Sequence, residues 1–202
     1  LLAFPLTFHL LIANNLLKER TMKKEKKLLG EDRRDKLIQL LKESRKPLTG
    51  SELAKIANVS RQIIVGDISI LKAKKEPIMA TSQGYIYLHE RKADTYFERI
   101  LACQHAPDAA EDELNILVDI GVIVKDVKVE HPIYGDIVAS IMVQTRREVQ
   151  QFLQKMKDAN AVYLSELTNG IHLHTISATS SHLLDEAEAA LLAAGYLIQD
   201  SE

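Results

Sequence analysis

The chain has 202 residues, 46% of them hydrophobic, with no tryptophan and one cysteine, Cys103. That suits one or two packed domains with a mainly aliphatic core, and it excludes an intramolecular disulfide. The net charge of −2 hides a division: 17 Lys/Arg and 10 Asp/Glu up to residue 90 give +7, while 9 Lys/Arg and 18 Asp/Glu beyond it give −9. A basic segment suited to a polyanion therefore precedes an acidic one with another task.

The chain begins at Leu1, and residues 1–17 are apolar but broken by Pro5, His9, Asn14 and Asn15. No positive n-region or small-residue cleavage site marks a secretory leader. The run is also shorter than the roughly 20 residues of a membrane span. The expectation is a cytoplasmic protein whose natural start is Met22, with residues 1–27 as an N-terminal extension.

Residues 28–90 carry local signals for three short helices and a hairpin. Leu37, Ile38, Leu40 and Leu41 recur at helical spacing between Asp32 and Glu43, and Lys46-Pro47 closes that helix. Thr49-Gly50-Ser51-Glu52 is a capping box that opens a second helix. Ser60 caps a third, with Ile64, Ile68 and Leu71 on one face. Two β-like runs, Pro77–Thr81 and Tyr85–Leu88, flank Ser82-Gln83-Gly84. Three helices and a hairpin predict a winged helix-turn-helix for double-stranded DNA. In that arrangement Ser60, Arg61 and Gln62 begin the reading helix, Arg suiting guanine and Gln adenine. Lys72 follows as a phosphate contact.

Residues 96–200 read as alternating helices and strands, after a connector over 89–99. Helices are expected over Pro107–Ile120, from Thr145 to about Ala159, and from Ser181 to Ala194. Strands are expected over Val122–Glu130 and Ile137–Val143. Tyr163–Leu167 and Ile171–Ile176 are expected to pair across Asn169-Gly170, and Tyr196–Ile198 to form a last strand. The fold class is α+β: a winged helix followed by a sandwich of helices on a mainly antiparallel sheet.

On a strand, His172 and His174 point to one face and offer half of a metal site. Spacing alone leaves open whether they are ligands or exposed strand histidines. His105, before a helix, and Glu113, within it, are candidate co-ligands that only tertiary packing can bring near. Three imidazoles and a carboxylate suit zinc, nickel, iron or manganese. His182 and His89 read as surface and linker, and Cys103 as a core thiol. A metal-dependent enzyme is the rival from another class, but no nucleophile elbow or phosphate-cradling glycine loop accompanies the histidines.

Leu48–Ala54, Asn58–Gln62, Ala80–Tyr85, Glu130–Asp136 and Gly170–Thr175 together resemble the niacin-responsive transcriptional repressors of Gram-positive bacteria, with their three-histidine (3H) domain. The resemblance runs over about residues 28–200. It implies a homodimeric repressor of NAD-precursor uptake and synthesis genes, with nicotinic acid as co-repressor and a divalent metal on His105, Glu113, His172 and His174. Gly66 departs from the family, whose members often carry Gln there. For the nicotinate carboxylate, His131, Arg146 and Arg147 are the candidate partners, the arginines standing at a capped helix start. A regulator that senses the metal itself is the alternative.

Overall fold

The computed structural model describes residues 29–89 and 96–199. The N-terminal extension and Met22 lie outside the described residues. The first unit is α1 (Gly30–Glu43), α2 (Gly50–Ala57), α3 (Arg61–Ala73) and a hairpin of β1 (Ile78–Thr81) and β2 (Gly84–Tyr87). The expected caps are present: Thr49 and Glu52 form a reciprocal box on α2, and the Ser60 side chain accepts from the Ile63 N–H on α3. Leu37 and Leu41 of α1, Leu53 of α2 and Ile64 of α3 are buried together. Each contributes about 1.5–3 kcal/mol by leaving water. A buried ion pair crosses this core, with Arg33 Nε donating to Asp67 Oδ2 at 2.5 Å.

The second unit is β3 (Phe97–Gln104), a single 3-10 turn (Pro107–Ala109), α4 (Ala110–Ile120), β4 (Ile123–His131), β5 (Gly135–Val143), α5 (Arg146–Asp158), a 3-10 segment (Leu164–Thr168), β6 (Ile171–Ala178) and α6 (Ser181–Ala194). The sheet is antiparallel in the order β3-β6-β4-β5. Leu114 and Leu117 of α4, Val149 of α5 and Leu184 and Leu191 of α6 pack with Val124, Ile141 and Ile176 of the sheet in one aliphatic core.

Three expectations change. The connector read over 89–99 ends in β3, an edge strand whose exposed Phe97, Glu98 and Ile100 break the alternation that advertises a strand. Tyr163–Leu167 does not pair with β6. It coils, because Glu166 Oε1 accepts the Tyr163 N–H at 2.7 Å and Thr168 Oγ1 donates to the Ser165 carbonyl, local bonds that outcompete a ladder. Tyr196–Ile198 adds a single bridge, Leu197 to Cys103, instead of a strand.

One irregularity interrupts the pairing of β4 and β5. Val124 pairs with Val143 and Asp126 with Ser140, so Ile141 and Met142 on β5 stand opposite Lys125 alone. The register of β4 against β6 slips at the same place. Met142 takes φ +52, a left-handed conformation that is costly for a residue with a Cβ.

Candidate effector site and nucleic-acid interface

β6 aims His172 and His174 into the core, where each residue is 3% exposed. That removes the reading of exposed strand histidines. The loop after β3 brings His105 alongside, and the first turn of α4 presents Glu113, 1% exposed. All three Nε2 atoms converge on one oxygen, Glu113 Oε2, at 2.7 Å from His105 and 3.3 Å from both His172 and His174. The partners are 59 and 61 residues from Glu113 for the strand pair.

Each imidazole is held from behind. Nδ1 of His105 lies 2.8 Å from the Ala106 carbonyl, Nδ1 of His172 2.8 Å from that of Gly170, and Nδ1 of His174 2.7 Å from that of Asp126. A carbonyl only accepts, so each Nδ1 carries the proton and each Nε2 presents a lone pair inward. Backbone carbonyls that fix the tautomer in this way are the usual support of a metal-binding histidine. The Asp126 carbonyl that holds His174 lies at the sheet irregularity, where the register of β4 against β6 slips between Val124 and Asp126.

Three lone pairs facing a carboxylate oxygen repel unless a cation or protons join them. Without a cation, the Glu113 charge favours protons on His105 and His174. Burial alone would lower the His105 and His174 pKa, but Glu113 outweighs it and raises both. Burial would raise Glu113; the His174 charge and the three imidazole bonds instead hold it well below the usual carboxylate range. Glu113 Oε1 is buried with no hydrogen-bond partner. A donor set of this kind, with one orphaned carboxylate oxygen, fits a divalent transition metal. Cys103 is an adjacent donor, its sulfur within 4.8 Å of ligand atoms of Glu113 and His172. Burial and the Glu113 charge push its pKa up, which keeps it a thiol and a poorer ligand than the imidazoles.

A cavity of about 140 Å³ opens on this cluster. Val127, Ala139 and Ile141 of the sheet and Phe152 and Met156 of α5 form apolar walls, and the coil after α5 adds Tyr163 and Ser165. None of the described arginines or lysines is among its lining residues.

The residues expected to clamp a carboxylate lie elsewhere. Arg146 pairs with Asp119 on the surface, its Nε 2.7 Å from Oδ1, and Arg147 is exposed. His131 Nδ1 accepts the Ile133 and Tyr134 N–H groups within its own turn. A capped helix start is polar wherever it sits, so sequence did not tell this one from the cavity. Tyr163 and Ser165 were missed because their segment read as a strand.

On the first unit, Arg61, Gln62 and Lys72 are exposed on α3, and Ser60 is exposed at its cap. Gln62, Gly66, Ser69 and Ala73 continue an exposed stripe down the same helix. A Cβ added at Gly66 would meet nothing within 4 Å, so the structure leaves room for a larger side chain there.

A helix-turn-helix unit with an exposed α3 and a separate domain enclosing a donor-lined cavity define a two-domain DNA-binding regulator. Residues 33–86 match the HTH domain family and residues 98–200 the 3H domain family. The chain is 57% identical over 180 residues to Transcription repressor NadR of Bacillus subtilis (strain 168), covering 89% of this chain and 100% of the relative. It is 34% identical over 174 residues to Probable transcription repressor NiaR of Thermotoga maritima, covering 86% of this chain and 98% of the relative. The chain belongs to this family of transcription repressors that join an HTH domain to a 3H domain, and it is not an enzyme. Among the described residues, no helix is long and apolar enough to cross a membrane.

Proposed function

We propose that the chain represses NAD-precursor uptake and biosynthesis genes, binding operator DNA as a homodimer with nicotinic acid as co-repressor. In this reading His105, Glu113, His172 and His174 hold a divalent transition metal (nickel, zinc, iron or manganese) in the 3H domain. The observation that carries the proposal is the convergence of three inward lone pairs on Glu113 Oε2, beside a small apolar cavity. At about 140 Å³ the cavity is close in size to the roughly 150 Å³ that takes a benzene ring. Phe152, Met156 and Val127 suit the faces of a pyridine ring. When bound, the metal supplies the positive charge that no Lys or Arg among the lining residues provides. The Ser165 and Tyr163 hydroxyls suit a polar group of the ligand turned away from the cluster. On DNA, Arg61 and Gln62 read base edges while Lys72 holds a phosphate.

Calorimetry on metal-loaded protein with nicotinate and with nicotinamide tests this. Nicotinamide lacks the charge, and it is expected to bind at least about tenfold more weakly. Titration of a duplex selected from a random pool, with and without nicotinate, tests the co-repressor role. Equal DNA affinity in both conditions would overturn that role and leave a regulator that answers to the metal alone.

A further inference from the structure

The tip of the wing does not project freely. It is docked on the 3H domain. The Ser82 N–H donates to the Ser140 carbonyl at 3.2 Å, and Ser82 Oγ to the Ile141 carbonyl at 2.5 Å. Gln83 Nε2 donates to the Glu148 carbonyl at 3.3 Å, and Lys155 Nζ to the Ser82 carbonyl at 2.5 Å. Four bonds thus join two wing residues to β5 and α5.

These two elements are also walls of the cavity. Ile141 faces the cavity with its side chain and the wing with its carbonyl. Phe152 and Met156 of α5 face the cavity, while Glu148 and Lys155 of the same helix hold the wing. Successive carbonyls of a regular strand point to opposite sides. Ser140 and Ile141 both reach Ser82 because β5 leaves regular geometry there, with Met142 left-handed at φ +52. Across the sheet the same irregularity borders Asp126, whose carbonyl holds His174. A left-handed backbone at a residue with a Cβ persists only where its surroundings enforce it. Here it lies between the histidine cluster and the wing.

We propose that the wing is a latch onto the effector domain and not a DNA-reading element, and that it transmits the state of the histidine-lined cavity to the DNA-binding helices. The coupling rests on the proposed effector function; the docking does not. A ligand that shifts β5 or α5 by a fraction of a bond length at the cavity moves the acceptors of Ser82 and Gln83. The wing then changes the angle at which α3 is presented, and in a dimer this sets the fit of two reading helices to two half-sites. DNA contact falls to α3 in this arrangement, since the wing tip is engaged.

The test uses the full chain and the double variant Gln83→Ala with Lys155→Ala. Hydrogen exchange at the Ser82 amide reads the docking. At the tip of a free hairpin this amide exchanges openly; docked, it is expected to exchange about tenfold or more slowly, with much of that protection lost in the variant. Operator titrations read the coupling. The variant is expected to bind metal and nicotinate as the parent does, while the gain in DNA affinity that nicotinate produces, about 5- to 150-fold for a typical coupling, falls close to one. An unprotected Ser82 amide in the parent overturns the docking, whatever nicotinate does. A protected amide with an undiminished nicotinate gain in the variant overturns the coupling. A parent that never responds to nicotinate refutes the effector reading and the coupling with it, and the amide still decides the docking.

Discussion

Gly170→Ala is expected to disable the donor cluster without altering any of its four residues. Gly170 adopts φ +89, and a Cβ built on it would lie 2.4 Å from the His105 carbonyl oxygen. Real Cβ contacts essentially never fall below 3.0 Å, so the His105 backbone must retreat by about 0.6 Å. Metal–ligand distances tolerate about 0.2 Å. The shift therefore takes His105 out of reach of the other donors. It also disturbs the Gly170 carbonyl that holds His172. Loss of such support costs roughly 10- to 100-fold in metal affinity, and the left-handed backbone adds about 1–2 kcal/mol of instability. Competition against a chromogenic chelator measures the first effect and thermal unfolding the second. Gly195→Ala is the control: Gly195 has φ +77, but a Cβ there meets nothing within 4 Å. It shares the backbone cost and is expected to keep parental metal affinity. If Gly170→Ala binds nickel or zinc as tightly as Gly195→Ala, the packing argument is wrong.

The metal-free protein has a predictable pH profile. The raised His105 and His174 stabilise it fully below their unfolded pKa of about 6.5, and that contribution is lost as pH rises through their folded values. The depressed Glu113 stabilises it above about 4.3 and fails only as pH falls through its lower folded value. Chelator-treated protein should therefore be most stable between these limits and weaken toward pH 8, whereas metal-loaded protein should strengthen; parallel profiles in denaturant melts would contradict this. Arg33→Ala leaves Asp67, 3% exposed, with Arg34 at 3.4 Å as its cation among the described residues. It should cost about 3–5 kcal/mol in urea unfolding, and a loss under 1 kcal/mol would show that the pair is solvated. Arg146→Ala removes a surface pair with Asp119 and should leave nicotinate affinity unchanged by calorimetry, while Ser165→Ala should weaken it; the reverse order would return the arginine to the site.

The winged helix was legible because its signals are local. Caps at Thr49 and Ser60, the apolar stripe of Ile64, Ile68 and Leu71, and the polar turn at Ser82–Gly84 each act within a few residues. The shared face of His172 and His174 was equally local, since a strand alternates sides. The family motifs added His105 and Glu113, which no spacing argument could have joined to that pair.

Tertiary structure decided the rest, because packing obeys no period. Edge strand β3 hid behind exposed Phe97 and Ile100, and local hydrogen bonds coiled the segment at Tyr163. Only the seating of α4 on the sheet turned Glu113 toward three imidazoles, and the carbonyls that hold His174 and the wing lie at the slip in β4 and β5. The sequence by itself determined the helices, their caps, the exposed face of α3 and the histidine pair. Folding decided which distant donors meet, which arginines stay outside, and where the wing comes to rest.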